Sequence, residues 1–533
     1  MRFVGLAATW RRLLYAVAAA CLGIAAAALL LPPPDDLRVD VARDMPFYSL
    51  PFGANPFAPA ELRTPDGTLV NWRSVPSSRS CGECHLREFM EWNASMHAIS
   101  DRDIIYDSTV LENTTASRAA AVHGTEKGRW CEGCHNPLGV LTGFVSPVTS
   151  VQETEALEEG VSCVVCHTAT HAVPLAGNGA FTSHLNGLFR HLHPAVIMAA
   201  PSRHARDMQA RRDVPLMGSS DLCGACHTEI RPTAVAGEEP MNFQDTYDEW
   251  RRSPWAQAGV QCQDCHMARE PAAYIAALQR GERPARQVSH RMPGNNYLLS
   301  NPALGGLTTL LRGGSPTGVN RLFDRKTWEA ELGTTHRQAT ELLRAAAELR
   351  VAAGHDGAGR LVVEATVKNA GAGHALPTGP LDQRYMWLEV EVVDAAGRTL
   401  FHRGAFDGKT GVTDPQATAW VKLLTDAAGE LDLRHILFDS DRLAYPRKPI
   451  PAGAEDRVAY AVPLPADAAG PWQVRVRLWY RLAFQEILQN IDRQGLGNTA
   501  GVIIPPLLMQ ETTATVPSGR VQAAAPSGQE ETS

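Results

Sequence analysis

The chain has 533 residues, 44% of them apolar and 20% charged, an ordinary balance for a globular protein with room for two to four domains. Its formal net charge of −7 lacks the basic excess with which nucleic-acid binders neutralise phosphates, so that class of function is excluded.

The first feature in chain order is Arg2, Arg11 and Arg12 ahead of an uncharged run from Leu13 to Leu31. The run approaches the roughly 20 residues that span a bilayer, and positive charge before it holds the N-terminus in the cytoplasm. Residues 1–31 are therefore expected to form an N-terminal membrane anchor. A cleaved signal peptide competes, although its apolar stretch is usually shorter and ends in an Ala-x-Ala-like site. A lipoprotein reading at Cys21 is weak, because the apolar run continues past it. Every version exports the body to the periplasmic side of a bacterial inner membrane. Residues 32–76, opening on Pro32-Pro33-Pro34-Asp35-Asp36, read as a Pro-rich spacer.

Residues 77–300 carry the chemistry. Cys-x-x-Cys-His recurs at Cys81–His85, Cys131–His135, Cys163–His167, Cys223–His227 and Cys262–His266. Two cysteines three apart lie on one side of a helical turn, where each thiol can form a thioether to a haem vinyl group. The next residue then sets an imidazole beneath the iron. Cys81, Cys84, Cys131, Cys134, Cys163, Cys166, Cys223, Cys226, Cys262 and Cys265 are thus predicted to hold five covalently bound haem c groups. His85, His135, His167, His227 and His266 are the predicted proximal ligands. Structural zinc also uses Cys-x-x-Cys pairs, but nothing in a tetrahedral thiolate site demands a histidine after each second cysteine. Disulfides would not demand it either. Of the 11 cysteines, Cys21 alone stands outside the motifs. Each haem brings two propionates, so the mature protein is more acidic than its sequence. Arg203, Arg206, Arg211, Arg212, Arg280, Arg283 and Arg286 cluster around the motifs, either to pair with propionates or as solvated surface.

A weak repeat runs through this region. Glu91-Trp92-Asn93-Ala94-Ser95 after the first motif matches Glu249-Trp250-Arg251-Arg252-Ser253 after the fourth, which suggests a duplicated haem-plus-helix unit. The occupant of the iron's second axial position decides function: His or Met favours electron transfer, an open position favours chemistry on a small molecule. The chain has 18 histidines, enough for five bis-histidine haems. His97 follows the first repeat's Trp92. His290 and His374 sit in Gly- and Pro-framed loops, poor places for core residues. His204 lies in a basic stretch, and His123, His171 and His184 compete for the remaining position. His171 comes too soon after His167 to serve that residue's own haem.

Residues 301–350 read as a helical connector, with Leu332, Ala339, Leu342, Leu343 and Ala346 at helical spacing within 325–347. The period then changes to two. Val363, Ala365 and Val367 alternate, as do Met386, Leu388, Val390 and Val392, then Val474, Val476, Leu478 and Tyr480. Residues 351–508 are expected to form a β-sandwich, and 509–533, rich in Ser, Gly, Ala, Gln and Glu, a disordered tail. The expected class is α+β and multidomain.

Four stretches carry a family resemblance. Cys81–His97 with its Glu-Trp-x-x-Ser-x-His ending, Cys223–Met267, and the His290-Arg291-Met292-Pro293-Gly294 and Gly373-His374-Ala375-Leu376-Pro377 loops resemble the cytochrome c554 family of multihaem cytochromes. The resemblance covers residues 78–300 and, more loosely, 345–485. It implies stacked haem pairs, mostly bis-histidine ligation, periplasmic electron transfer, and distal roles for His97, His290 and His374. One departure stands out: Trp255 occupies the place of His97 in the second repeat, so one haem must recruit another histidine or lack a sixth ligand.

The leading expectation is an electron relay serving redox partner proteins or membrane quinol. An enzyme acting on a small nitrogen or sulfur compound at one open haem is the alternative, although all five motifs end in His rather than the Lys that marks pentahaem nitrite reductases. A docking or adhesion role for the sandwich is the third reading.

Overall fold

The computed structural model describes residues 10, 13–23, 38–39, 55–71, 75–115, 129–143, 159–185, 194–212, 215–231, 241–285, 287–301, 322–356, 359–497, 499 and 501–518. No helix among them is long and apolar enough to cross a membrane. Residues 13–23 are helical, and the rest of the apolar N-terminal run lies outside the described residues, so the expected anchor gains no support.

The motif region is built from short helices and loops. Leu86–Asn93 (α1) and Ile104–Thr115 (α2) follow the first motif, and the fourth motif leads into the strands Glu229–Arg231 (β1) and Met241–Gln244 (β2) and the helix Thr246–Arg251 (α3). Part of the expected spacer belongs to this body. Phe57, Leu62, Leu69, Val70 and Val75 are buried in one cluster with Leu138, Leu141, Val164 and Phe181. Glu61 and Arg63 donate backbone hydrogen bonds to Asn178 and Phe181. Prolines and irregular spacing hide a segment that buries its apolar side chains through loop contacts rather than through a periodic face.

Helix Arg325–Ala346 (α4), capped by the Asp324 side chain, buries Trp328, Leu332, Ala339 and Leu343. It runs directly into strand Ala347–His355 (β3), which pairs with Leu361–Asn369 (β4). Tyr385–Val393 (β5), Thr399–Arg403 (β6) and Thr418–Trp420 (β7) follow, then the small three-stranded sheet of Leu423–Thr425 (β8), Leu431–Asp432 (β9) and Arg442–Ala444 (β10). Glu455–Val462 (β11), Trp472–Arg481 (β12), helix Gln485–Gln494 (α5) and Leu507–Val516 (β13) complete the chain. The order β11-β4-β3 forms one antiparallel sheet. The order β6-β5-β12-β13, with β7 also on β5, forms the other. Their alternating Val363, Ala365, Val367, Met386, Leu388, Val390, Val474 and Val476 meet in a single core that also takes in α4 and reaches Trp92 and Ile99 in the motif region.

The expected tail is corrected at its start. Residues 507–516 pair along the length of β12, from Trp472↔Val516 to Tyr480↔Leu507. Thr and Glu on the outward positions disguise a strand whose Met509 and Val516 are buried.

Candidate haem-binding site

The two halves of the repeat use the same bonds. The hydroxyl of Ser78 accepts from the Cys163 amide at 3.2 Å, and that of Ser220 accepts from the Cys262 amide at 2.9 Å. Trp92 Nε1 donates to the Val161 carbonyl at 2.9 Å, and Trp250 Nε1 donates to the Val260 carbonyl at 2.9 Å. Each tryptophan thus grips the chain two residues before the second motif of its unit. The first and third motifs form one unit, and the fourth and fifth form the other. The Cys81 and Cys163 thiols are close enough to shift one another's ionisation, as are those of Cys223 and Cys262. A third such contact, Cys134 with Cys226, ties the second motif to the fourth.

Four proximal histidines face a second imidazole at almost constant separation. Ring centres are 6.4 Å apart for His85 and His204, 6.4 Å for His227 and His97, 6.4 Å for His167 and His290, and 6.3 Å for His266 and His374. Metal–imidazole bonds of about 2 Å, with each ring centre just over 1 Å behind its nitrogen, set two trans imidazoles about 6.3 Å apart. The four observed separations match that value.

The ring nitrogens agree. Nδ1 of His135, His266 and His374 is held by the carbonyls of Ser100, Pro293 and Ala375 at 2.7–2.8 Å, which leaves each Nε2 lone pair for a metal. Burial pushes the imidazoles of His97, His135, His167, His227 and His374 down to about 4, so they are neutral, the form that binds iron. The donor set fits haem c.

Comparison with known proteins adds to this geometry. Residues 80–168 match the family model described as cytochrome c554 and c-prime. Over that stretch the chain is similar to multihaem c-type cytochromes of the c554 kind. Its fold is similar to a crystal structure of a penta-heme cytochrome c552 from Thermochromatium tepidum, with a TM-score of 0.50 and 19% identity over 83% of this chain and 99% of that one. No curated protein matches it.

The chain assembles its opposing histidines from several elements. His97 stands on the turn after α1 and faces the fourth motif rather than its own. By the symmetry of the repeat, the second unit would return a histidine to the first motif, but Trp255 is there and packs beside Gly373. His204, on the helix Pro201–Arg212, faces His85 instead. His290 and His374 arrive on loops fixed by the repeat's glutamates. Glu91 accepts from the His290 amide and Glu249 from the Ala375 amide and the Thr378 hydroxyl. His171 lies exposed on a strand over Ala169–Ala172, and His184 is tied by its amide to Thr168; neither faces a proximal ring. His123 lies outside the described residues.

The second motif differs. Among the described residues, no imidazole faces His135 at the 6.3–6.4 Å spacing of the other four pairs. Tyr106 of α2 stacks on its ring at 3.9 Å and 7°. Around this motif sits an ionisable group that sequence reasoning missed: buried Asp382, Lys422 and His435, with half-buried Glu229. Burial raises Glu229 and lowers Lys422. Burial also opposes charge on His435, but the Asp382 carboxylate outweighs it and raises the imidazole, while Asp382 itself is held below its ordinary value by His435.

Proposed function

We propose that the chain is a pentahaem c-type cytochrome acting as an electron relay, exported and held by residues 1–31 on the periplasmic face of the inner membrane, where it exchanges electrons with redox partner proteins or membrane quinol. The four histidine pairs at 6.3–6.4 Å carry this reading. When bound, haem c supplies one-electron chemistry at iron, and bis-histidine ligation favours low potentials. The residues of the chain do the rest. The Ser, Trp and Glu bonds of the repeat fix the motifs and opposing loops against one another, so oxidation state can change with little movement. Thiol contacts link the first motif to the third, the second to the fourth, and the fourth to the fifth. Cys166 of the third motif lies within electrostatic reach of Cys226 of the fourth.

A second reading is favoured by a single observation: among the described residues, no imidazole faces His135 at the spacing of the other four pairs. In it, this position binds a small nitrogen or sulfur compound, and the other four motifs supply it with electrons. The two readings are compatible: one terminus of the relay would be a reactive site.

The test is to purify the exported protein, weigh the denatured chain, and titrate it reductively. Five added haem masses and complete reduction by one low-potential donor are expected. Fewer haems, or a fraction that the donor cannot reduce, would defeat the relay.

A further inference from the structure

We infer that His435, positioned by Asp382, faces the haem-binding space opposite His135 and donates a hydrogen bond to a small proton-accepting anion held there. This rests on the open-site reading of the second motif.

Helix α2 provides the ruler. Tyr106 stacks on His135 at 3.9 Å. Asn113, seven residues on and on the same helix face, donates to the His435 carbonyl at 3.0 Å and accepts from the Phe438 amide at 3.0 Å. Two helical turns advance about 10 Å. The proximal ring and the His435 loop therefore lie against one face of α2, about 10 Å apart along it. Trp130, beside Cys131, packs on Phe438 at 5.5 Å, which keeps the loop against the motif.

The loop is built to hold this position. Buried Arg231 donates to the carbonyls of Leu437 at 2.6 Å and Ser440 at 2.8 Å. The Ser440 hydroxyl donates to the Ile436 carbonyl at 3.0 Å. His435 itself has φ 66, a left-handed backbone that a non-glycine residue adopts only when its surroundings impose it. Its Nδ1 lies 2.5 Å from an Asp382 oxygen. The Asp382 side chain is fully buried while 11% of the imidazole stays accessible. With Nδ1 engaged, the accessible edge is Nε2. Of the charges facing the ring, Asp382, Glu229 and Asp432 favour its protonated state, and His135 lies within electrostatic reach. An imidazole N–H beside a binding position selects an anion with a lone pair to share, such as nitrite or fluoride, over a neutral gas.

The test uses the ferric, full-length holoprotein and fluoride, whose binding to an open ferric haem is read optically and by the high-spin resonance signal. His435→Leu should weaken fluoride at least about tenfold, the scale of one hydrogen bond to a charged group, while carbon monoxide binding to the reduced protein barely changes. The double variant His435→Gln with Asp382→Asn, which leaves no buried charge unpaired, should give a similar loss if the leucine variant folds poorly. Unchanged fluoride affinity in both would overturn the assignment. So would a wild-type protein that is wholly low-spin and gains a high-spin haem in His435→Leu, since His435 would then be an iron ligand. If neither wild type nor variants bind fluoride or carbon monoxide, the open-site reading itself fails.

Discussion

Glu91 accepts a hydrogen bond from the His290 backbone amide at 2.9 Å, across most of the motif region. Glu249 does the same for Ala375, directly after His374, at 3.2 Å. In each unit the glutamate is followed by the tryptophan that grips the second motif. One short helix therefore fixes a motif and aims the loop that brings an imidazole against it.

Removing that carboxylate should loosen the loop. Glu91 is buried and also faces Arg291 at 3.3 Å, so Glu91→Ala leaves a buried amide and part of a guanidinium without their acceptor. A loss of about 1–3 kcal/mol is expected, from the cost of unsatisfied buried groups. Urea unfolding measures it, and Glu91→Gln, which keeps one acceptor oxygen, should lose less.

The tryptophans separate packing from hydrogen bonding. Trp250→Phe removes the bond to Val260 and should cost about 0.5–1.5 kcal/mol. Trp250→Ala also empties the space and should cost about 3–5 kcal/mol. Equal losses would mean that the indole N–H contributes nothing to joining the fourth and fifth motifs.

Single histidine replacements test three of the four proposed pairings. His204→Ala, His290→Ala and His374→Ala should each convert one low-spin haem to a form that binds carbon monoxide after reduction. His171→Ala and His184→Ala should leave the spectrum unchanged. Any exchange between these groups would reassign the ligands.

The sheets carry a pH dependence of their own. Burial would raise Glu389, but bonds from His402, Trp479 and Arg477 outweigh it and hold the carboxylate below its ordinary 4.5. Asp456, despite burial, is likewise held below 3.8 by Arg447 and Trp420. Carboxylates with depressed folded values stabilise fully above their unfolded values, and that contribution is lost as pH falls through the folded ones. Stability should therefore decline as pH drops below about 4.5, and Glu389→Gln should flatten the upper part of the decline. Thermal unfolding between pH 3 and 7 checks the slope, the bounds being set to bracket these roughly 4 to 4.5 reference values.

The five motifs, the Glu-Trp repeat and the alternating strands were legible because each is a local pattern with a fixed period or spacing. Trp255 in place of His97 was equally visible, and it signalled that the first motif's partner lies elsewhere. That the partner is His204 depends on how a distant helix folds back, which no spacing records. His435 left no trace. It sits between Arg434 and Ile436 without glycine or proline, and its surroundings come from Asn113, Arg231 and Asp382, each far away in the chain. Phe57, Leu62 and Val70 looked like spacer residues because proline-rich loops bury apolar groups without a repeat. Residues 509–516 looked like tail because threonine and glutamate fill the outward half of a strand.

The central claim is that four histidine pairs close four irons and leave the one above His135 open. Quantitative paramagnetic resonance of the oxidised holoprotein tests it most directly. Low-spin and high-spin ferric haem in a ratio of four to one is the predicted result, following the four pairs at 6.3–6.4 Å. A wholly low-spin spectrum, or more than one high-spin haem per chain, would contradict it.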